Sequence, residues 1–93
     1  MDPWSAEVIE WDPRNEEELH PHGIYLRDIE DVFFDQPKWV PNKRGRSGDF
    51  LMIGYNRSRR ALTIAVSYDQ IRRALRPITG WDCTESERTR YLP

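Results

Sequence analysis

Cysteines, long apolar runs and internal repeats are scarce or absent in this 93-residue chain. The single cysteine, Cys83, excludes an intrachain disulfide and a cysteine-rich zinc site, which favours a reducing compartment. No stretch approaches the roughly 20 consecutive apolar residues of a membrane-spanning helix. The start, Met1-Asp2-Pro3-Trp4, is acidic rather than basic, unlike a secretory leader. We therefore expect a cytoplasmic protein with no membrane partner.

The composition predicts one folded domain over residues 1–93. Hydrophobic residues make up 38% of the chain and charged residues 32%, which is polar but still typical of a globular protein. The chain has four Trp, four Tyr and three Phe, whereas disordered chains are poor in aromatic residues. These large side chains supply the buried area that a core of this size needs.

Charge is strongly segregated along the sequence, although the net charge is only −2. Residues 1–37 carry eleven acidic residues against two arginines, a balance of −9. Residues 38–76 carry ten basic residues against two aspartates, a balance of +8. The basic half predicts a surface for a nucleic-acid backbone or for an acidic partner. The acidic half is either a solvated helix face or a surface that docks against the basic half.

Two helices are predicted in the N-terminal half. Asp12-Pro13 indicates the start of the first, because aspartate caps a helix and proline fits its first position. Pro21 and Gly23 predict its end after about two turns. The second helix is predicted over residues 26–34, with Pro37 after it. Its apolar stripe comprises Tyr25, Ile29, Val32 and Phe33, and its predicted water-facing residues are Arg27, Asp28, Glu30 and Asp31.

Strand patterns dominate the remainder. Residues 38–48 contain Pro, Asn and Gly together with four basic residues, which predicts a basic loop. Strands are predicted over 50–55, 61–68 and 71–79. Pro77 has no backbone N–H, so the last strand is predicted to be an edge strand or to contain a bulge. A short apolar stretch, Val8-Ile9-Glu10-Trp11, is either a brief strand or an anchor for the first helix.

The pattern Thr84-Glu85-Ser86-Glu87 is a capping box and predicts a C-terminal helix to about Tyr91. Trp11, Phe33 and Tyr25 are predicted to be core residues. Together, the elements predict an α+β fold in which two N-terminal helices precede an antiparallel β-meander of three to four strands and a final helix.

Four ordered motifs resemble one known family. They are Glu10-Trp11-Asp12 with Asn15; His22-Gly23-Ile24; Asp31-Val32-Phe33 with Asp35 and Pro37; and Arg76-Pro77-Ile78-Thr79-Gly80-Trp81 with Thr84 and Glu87-Arg88. This set is similar to the BrnT-type toxins of bacterial type II toxin–antitoxin pairs. The resemblance implies a RelE-like fold and a ribonuclease silenced by a cognate DNA-binding antitoxin, as a homodimer or as a heterotetramer with that antitoxin.

Four residues are candidates for catalysis. RNA cleavage by a 2′-hydroxyl builds charge on the phosphate, which guanidinium groups stabilise with paired hydrogen bonds. Arg73 and Arg76, beside the predicted distortion at Pro77, and Arg60 are the leading charge stabilisers. The alternative is that they are ordinary surface arginines. His22 is a candidate acid or base, or else a helix C-cap.

Six further residues are candidates for RNA binding: Arg57, Arg59, Lys43, Arg44, Arg46 and Trp81. The basic side chains would contact phosphates without reading sequence. The loop residues Lys38, Lys43, Arg44 and Arg46 equally suit an acidic antitoxin segment. Trp81 either stacks on a base or belongs to the core. His20 and His22 lack further His or Cys ligands, so we expect neither a metal ion nor another cofactor.

A non-catalytic module that binds nucleic acid or protein is the alternative function. Pro21 and Trp81 stand where the family often has a lysine and an arginine. The absence of these two cations from a candidate phosphate site favours binding without cleavage.

Overall fold

The computed structural model describes residues 2–43 and 48–93. Arg44 and Arg46, both predicted to bind RNA, lie outside the described residues. The elements in chain order are β1 (Val8–Ile9), α1 (Pro13–Leu19), α2 (Leu26–Phe34), β2 (Lys38–Pro41), β3 (Phe50–Tyr55), β4 (Ala61–Asp69), β5 (Ala74–Asp82) and α3 (Glu85–Tyr91). Short 3-10 helices cover Pro3–Ser5 and His20–His22. None of the helices in the described part of the chain has the length and hydropathy needed to cross a bilayer.

The described strands form one mixed sheet in the order β1-β5-β4-β3-β2. Neighbours from β2 to β5 are antiparallel, and β1 pairs in parallel with the start of β5. The chain therefore has an α+β fold, as predicted. The parallel strand β1 makes the sheet mixed rather than a simple meander.

Side chains alternate between the two faces of the sheet. The first face carries the core residues Met52, Leu62, Ile64, Val66 and Leu75, which pack with Leu19, Ile24, Ile29 and Val32 from the α1–α2 region. The second face carries Thr63, Ala65, Ser67, Arg76, Thr79 and Trp81, as the pairing of β4 with β5 shows. The helix α3 contacts this second face through Glu87, whose carboxylate accepts hydrogen bonds from Thr63 Oγ1 at 3.0 Å and Trp81 Nε1 at 3.1 Å.

Local signals placed the helices correctly. Asp12 caps α1 by accepting the N–H of Asn15 at 2.9 Å, and Pro13 is the first helical residue. The helix α2 has the predicted bounds. Thr84 and Glu87 form the predicted capping box of α3.

Two predictions about the strands were wrong. Residues 38–41 form the edge strand β2 rather than loop, because they pair with Phe50–Ile53. The last strand begins at Ala74, not at residue 71, because Arg73 has a φ of 50° and ends the turn before it. Pro77 does lie at a bulge: Val66 pairs with Pro77 and Ala65 with Thr79, which leaves Ile78 between them. The strand β1 pairs with Ala74 and Leu75 at the start of β5.

The exposure of two side chains at the start of α2 is the opposite of the predicted one. Tyr25 is 45% exposed rather than in the core, since it precedes the helix as its N-cap residue. Asp28, predicted to face water, is buried because it accepts hydrogen bonds from the Tyr25 N–H and Asn56 Nδ2. Trp11 and Phe33 are half-buried against the core.

Part of the acidic half contacts the basic half and part is a solvated helix face, so both interpretations of the charge pattern apply. Among the described residues, four ion pairs join the acidic half to the basic half: Arg57–Asp31, Arg72–Glu10, Arg73–Glu7 and Arg76–Asp12. The parallel pairing of β1 with β5 brings the last three together. Because solvent screens these exposed pairs, they contribute little to stability.

Asn15 links the cap of α1 to the bulge in β5, and this link predicts a large stability effect. Its side chain is buried, and its Nδ2 donates to the Pro77 carbonyl at 2.6 Å while its Oδ1 accepts the Asp12 N–H at 3.1 Å. We expect Asn15→Ala to lower the free energy of unfolding by about 2 kcal/mol, since both partners lose a bond. Urea unfolding measures this, with the exposed Glu17→Ala in the same helix as control. Equal losses for the two variants would contradict the role of Asn15.

Candidate nucleic-acid interface

An apolar groove of about 450 Å³ lies on the second face of the sheet. Its walls come from β2, from the middle of the sheet and from the end of α3, and they comprise Val40, Pro41, Asn42, Lys43, Leu51, Ala65, Thr79, Trp81 and Tyr91. The Trp81 ring is held in place because Nε1 donates to Glu87. Two aromatic side chains and one lysine in an open groove suit a nucleotide base and its phosphate.

A second depression, the arginine pocket, adjoins this groove. It has a volume of about 530 Å³ and is lined by Arg14, Asn15, Glu18, Ser67, Arg76, Ile78 and Thr79. Thr79 lines both depressions, so they form a continuous surface. Arg14 and Arg76 provide two cations, Ser67 and Thr79 provide hydroxyl donors, and Glu18 is the one carboxylate among the described lining residues.

Arg76 is the predicted catalytic residue that lies in this surface. It sits on β5 opposite Ser67, immediately before the bulge at Pro77. Its Nη2 donates to Asp12 Oδ2 at 2.8 Å, and the side chain remains 43% exposed. A guanidinium has five N–H donors, and this is its one side-chain hydrogen bond among the described residues. The other donors remain for a phosphate.

Arg60 is placed differently, with four hydrogen bonds from its guanidinium to other parts of the fold. Its Nε and Nη2 donate to both carboxylate oxygens of Asp82, at 2.6 and 3.1 Å. Its Nη1 and Nη2 also donate at 2.7 Å to the carbonyls of Gly23 and His22, at the end of the first helical segment. The hydrogen bonds to the Asp82 carboxylate raise the pKa of Arg60. The arginine therefore ties the α1–α2 connection to the ends of β4 and β5.

The remaining catalytic candidates do not converge with Arg76. Arg60 immediately precedes β4, and Arg76 pairs with Ser67, seven residues further along the chain. At ~3.3 Å per residue along β4, the two arginines are separated by about 20 Å. His22 lies at the Arg60 end, where its carbonyl accepts the arginine. Arg73 lies in the turn before β5 and pairs with Glu7 at 3.4 Å.

The RNA-binding candidates divide in the same way. Trp81 and Lys43 line the apolar groove. Arg57 and Arg59 lie in the β3–β4 turn, at the Arg60 end of β4. Arg57 pairs loosely with Asp31 at 3.9 Å, and the Arg59 guanidinium lies 4.4 Å from the centre of the Tyr55 ring.

The residues of this surface that were not predicted as site residues include Arg14, Glu18 and Tyr91. Tyr91 follows Glu87 by one helical turn, so the capping box of α3 was a usable signal for a residue on the same helix face. Arg14 and Glu18 reach the pocket because α1 packs beside β5, which no local pattern indicates. Among residues 2–43 and 48–93, no three His, Cys, Asp or Glu side chains are grouped so as to hold a metal ion.

The lowered pKa values of two carboxyl groups predict how the stability of the fold depends on pH. The pKa of Asp12 is below its ordinary value of 3.8, chiefly because the carboxylate accepts the Asn15 N–H, and that of Asp82 is lowered chiefly by the Arg60 guanidinium. The unfolded chain then binds protons at higher pH than the folded one. This stabilisation is therefore fully present above about pH 4 and lost as pH falls through the lower folded-state values.

We expect the urea concentration at the unfolding midpoint to decrease as the pH is lowered below about 4. This decrease is expected to be less steep in Asp82→Asn than in the wild type. Urea titrations from about pH 6 to about pH 3 measure this, with the exposed Glu85→Gln as control. An unchanged acid slope in Asp82→Asn would show that the Arg60–Asp82 pair does not set it.

Comparisons with protein-family models, with characterised protein sequences and with solved structures found no match to this chain.

Proposed function

We propose that this chain is a ribonuclease toxin of a bacterial type II toxin–antitoxin pair, similar to the BrnT toxins and to the RelE-like fold. The supporting observation is that the arginine pocket, with Arg76 and Arg14, shares Thr79 with the groove lined by Trp81 and Tyr91. That arrangement offers cations to a phosphate and aromatic rings to the adjacent base. The protein acts in the cytoplasm on RNA.

Cleavage proceeds by attack of a ribose 2′-hydroxyl on the adjacent phosphorus. The new P–O2′ bond forms as the P–O5′ bond breaks, which yields a 2′,3′-cyclic phosphate and a 5′-hydroxyl. Arg76 and Arg14 stabilise the charge that grows on the phosphate oxygens. Glu18, the carboxylate of the pocket, accepts the 2′-hydroxyl proton, and the leaving 5′-oxygen takes a proton from water. The reaction requires neither a metal ion nor another cofactor.

The partner is a DNA-binding antitoxin that covers the second face and excludes RNA from it. Lys43 at the rim of the groove and Arg76 in the pocket suit acidic side chains as well as phosphates. The toxin forms a homodimer or joins the antitoxin in a heterotetramer.

A non-catalytic RNA-binding module is the second candidate, and one observation favours it. Arg60 and His22 lie at the far end of β4 from Arg76, and Arg73 is paired with Glu7 in a turn. The arginine pocket therefore has fewer cations than the sequence predicted for catalysis. Binding by the second face without strand scission is expected on this alternative.

Incubation of the purified protein with a single-stranded RNA separates the two candidates. The ribonuclease predicts fragments that end in a 2′,3′-cyclic phosphate, formed in the presence of EDTA. Intact RNA that is nevertheless retained by the protein would favour the binding module. Intact RNA with no binding would contradict both.

A further inference from the structure

Phe34, the last residue of α2, presents an aromatic ring to solvent on the opposite side of the molecule from α3. Phe34 is 77% exposed. The ring contacts Phe33 edge-to-face with centroids 5.1 Å apart, and Phe33 in turn contacts Trp39 at 6.0 Å. A partner that covers the Phe34 ring removes a large apolar side chain from water.

Two depressions flank Phe34. One, of about 320 Å³, lies between the N-terminal segment and α2, and its apolar lining comprises Ala6, Val8, Ile9, Leu26 and Phe33. The other, of about 340 Å³, lies between α2 and the β3–β4 turn and contains Tyr55 and Asn56. Phe34 and Glu30 line both depressions, so Phe34 forms a ridge between them. We call Phe34 and the lining of these two depressions the Phe34 surface.

The Phe34 surface is acidic. Its carboxylates are Glu7, Glu30, Asp31 and Asp35, and its cations are Arg57 and Arg59. Glu30 and Asp35 have no ion-pair partner among the described residues. Arg57 is paired with Asp31 and Arg59 lies over Tyr55. Two carboxylates therefore remain available to a cationic partner beside an exposed aromatic ring.

We propose that the Phe34 surface binds a cationic polypeptide segment that places an apolar side chain in the depression between the N-terminal segment and α2 and its lysines or arginines near Glu30 and Asp35. An aromatic or aliphatic anchor in a pocket with a charged rim is the usual arrangement of an energetically dominant contact. The net acidity disfavours nucleic acid and anionic lipid, because both would bring phosphates towards the carboxylates.

This surface is independent of the proposed function. The second face carries Arg76 and Trp81 and is covered in part by α3, whereas α2 packs on the first face. A polypeptide at Phe34 and a ligand on the second face therefore occupy different sides of the sheet. Loss of one interaction leaves the other in place.

The probe is a fluorescently labelled amphipathic peptide of lysine and leucine, titrated with the full chain and followed by fluorescence polarisation. We expect saturable binding that Phe34→Ala weakens at least about tenfold. Ile71→Ala is the matched control, because Ile71 is 95% exposed in the β4–β5 turn, away from this surface. A peptide in which glutamate replaces every lysine is expected not to bind.

A charge test complements the apolar one. The double variant Glu30→Gln with Asp35→Asn is expected to weaken binding about tenfold at low salt, whereas Glu85→Gln on α3 leaves it unchanged. Circular dichroism verifies that each variant is folded. Equal binding by wild type and Phe34→Ala, or equal binding of the glutamate peptide, would overturn the proposal. The proposal would also be overturned if an RNA competed with the peptide and that RNA bound equally well to wild type and to Arg76→Ala.

Discussion

Replacing Arg76 with alanine is expected to lower the rate of RNA cleavage about 100-fold or more while the domain stays folded. The guanidinium lies in the arginine pocket beside Arg14, with one hydrogen bond to Asp12 and its other donors open to a phosphate. Stability changes little, because the Arg76–Asp12 pair is partly exposed on both sides. Charge stabilisation in the transition state is thus the main loss.

Two further variants separate charge from geometry. Arg76→Lys keeps the charge but loses the planar fork, so we expect activity between that of wild type and that of Arg76→Ala. Arg27→Ala is the control, since Arg27 is an exposed arginine of α2 whose guanidinium lies near the Tyr25 ring. Initial rates of cleavage of a labelled RNA measure the effect. A fully active Arg76→Ala enzyme would remove Arg76 from the mechanism.

Arg60→Ala is expected to lower the free energy of unfolding by about 2 kcal/mol and to leave the cleavage rate of the folded protein nearly unchanged. The variant deprives the carbonyls of His22 and Gly23 of a charged donor. Its ion pair with Asp82 contributes less, because Asp82 is 66% exposed and solvent screens the interaction. The loss therefore comes mainly from the two carbonyl contacts.

Urea unfolding with matched activity assays below the unfolding transition tests this separation. Arg57→Ala is the control, since the Arg57 side chain is 91% exposed in the same turn. Arg60→Lys is expected to recover only part of the stability, because an ammonium cannot reach Asp82 and both carbonyls as a guanidinium does. An Arg60→Ala protein that is as stable as wild type but inactive would restore the catalytic role that the sequence predicted for Arg60.

The parts of the fold that depend on residues close together in the sequence were predictable. Asp12-Pro13 and Thr84 with Glu87 are local capping signals, and the helices they cap begin where these signals lie. The strand β2 was missed because residues 38–41 include a proline and precede glycine-rich sequence, while their pairing with Phe50–Ile53 depends on tertiary structure. The parallel pairing of Val8 with Ala74 likewise joins residues far apart in the chain.

The candidate site was predictable in its chemistry but not in its geometry. Arg76 was correctly expected on the last strand, whereas Arg73, expected on the same strand, lies in the turn before it. The register of β4 and β5 places Arg60 and Arg76 at opposite ends of β4. Arg60 is further committed to carbonyls that no sequence pattern links to it. Arg14 and Tyr91 enter the interface from the first and the last helix, and only the packing of α1 and α3 brings them there.

The RNA-binding role of the second face is tested most directly by NMR shift mapping during titration with a single-stranded RNA. The prediction is that the largest changes occur at the amides of Arg76 and Thr79, at the Trp81 indole N–H and at Tyr91, with Arg57 and Arg59 unaffected. Changes confined to the β3–β4 turn, or an unperturbed second face at saturating RNA, would contradict it.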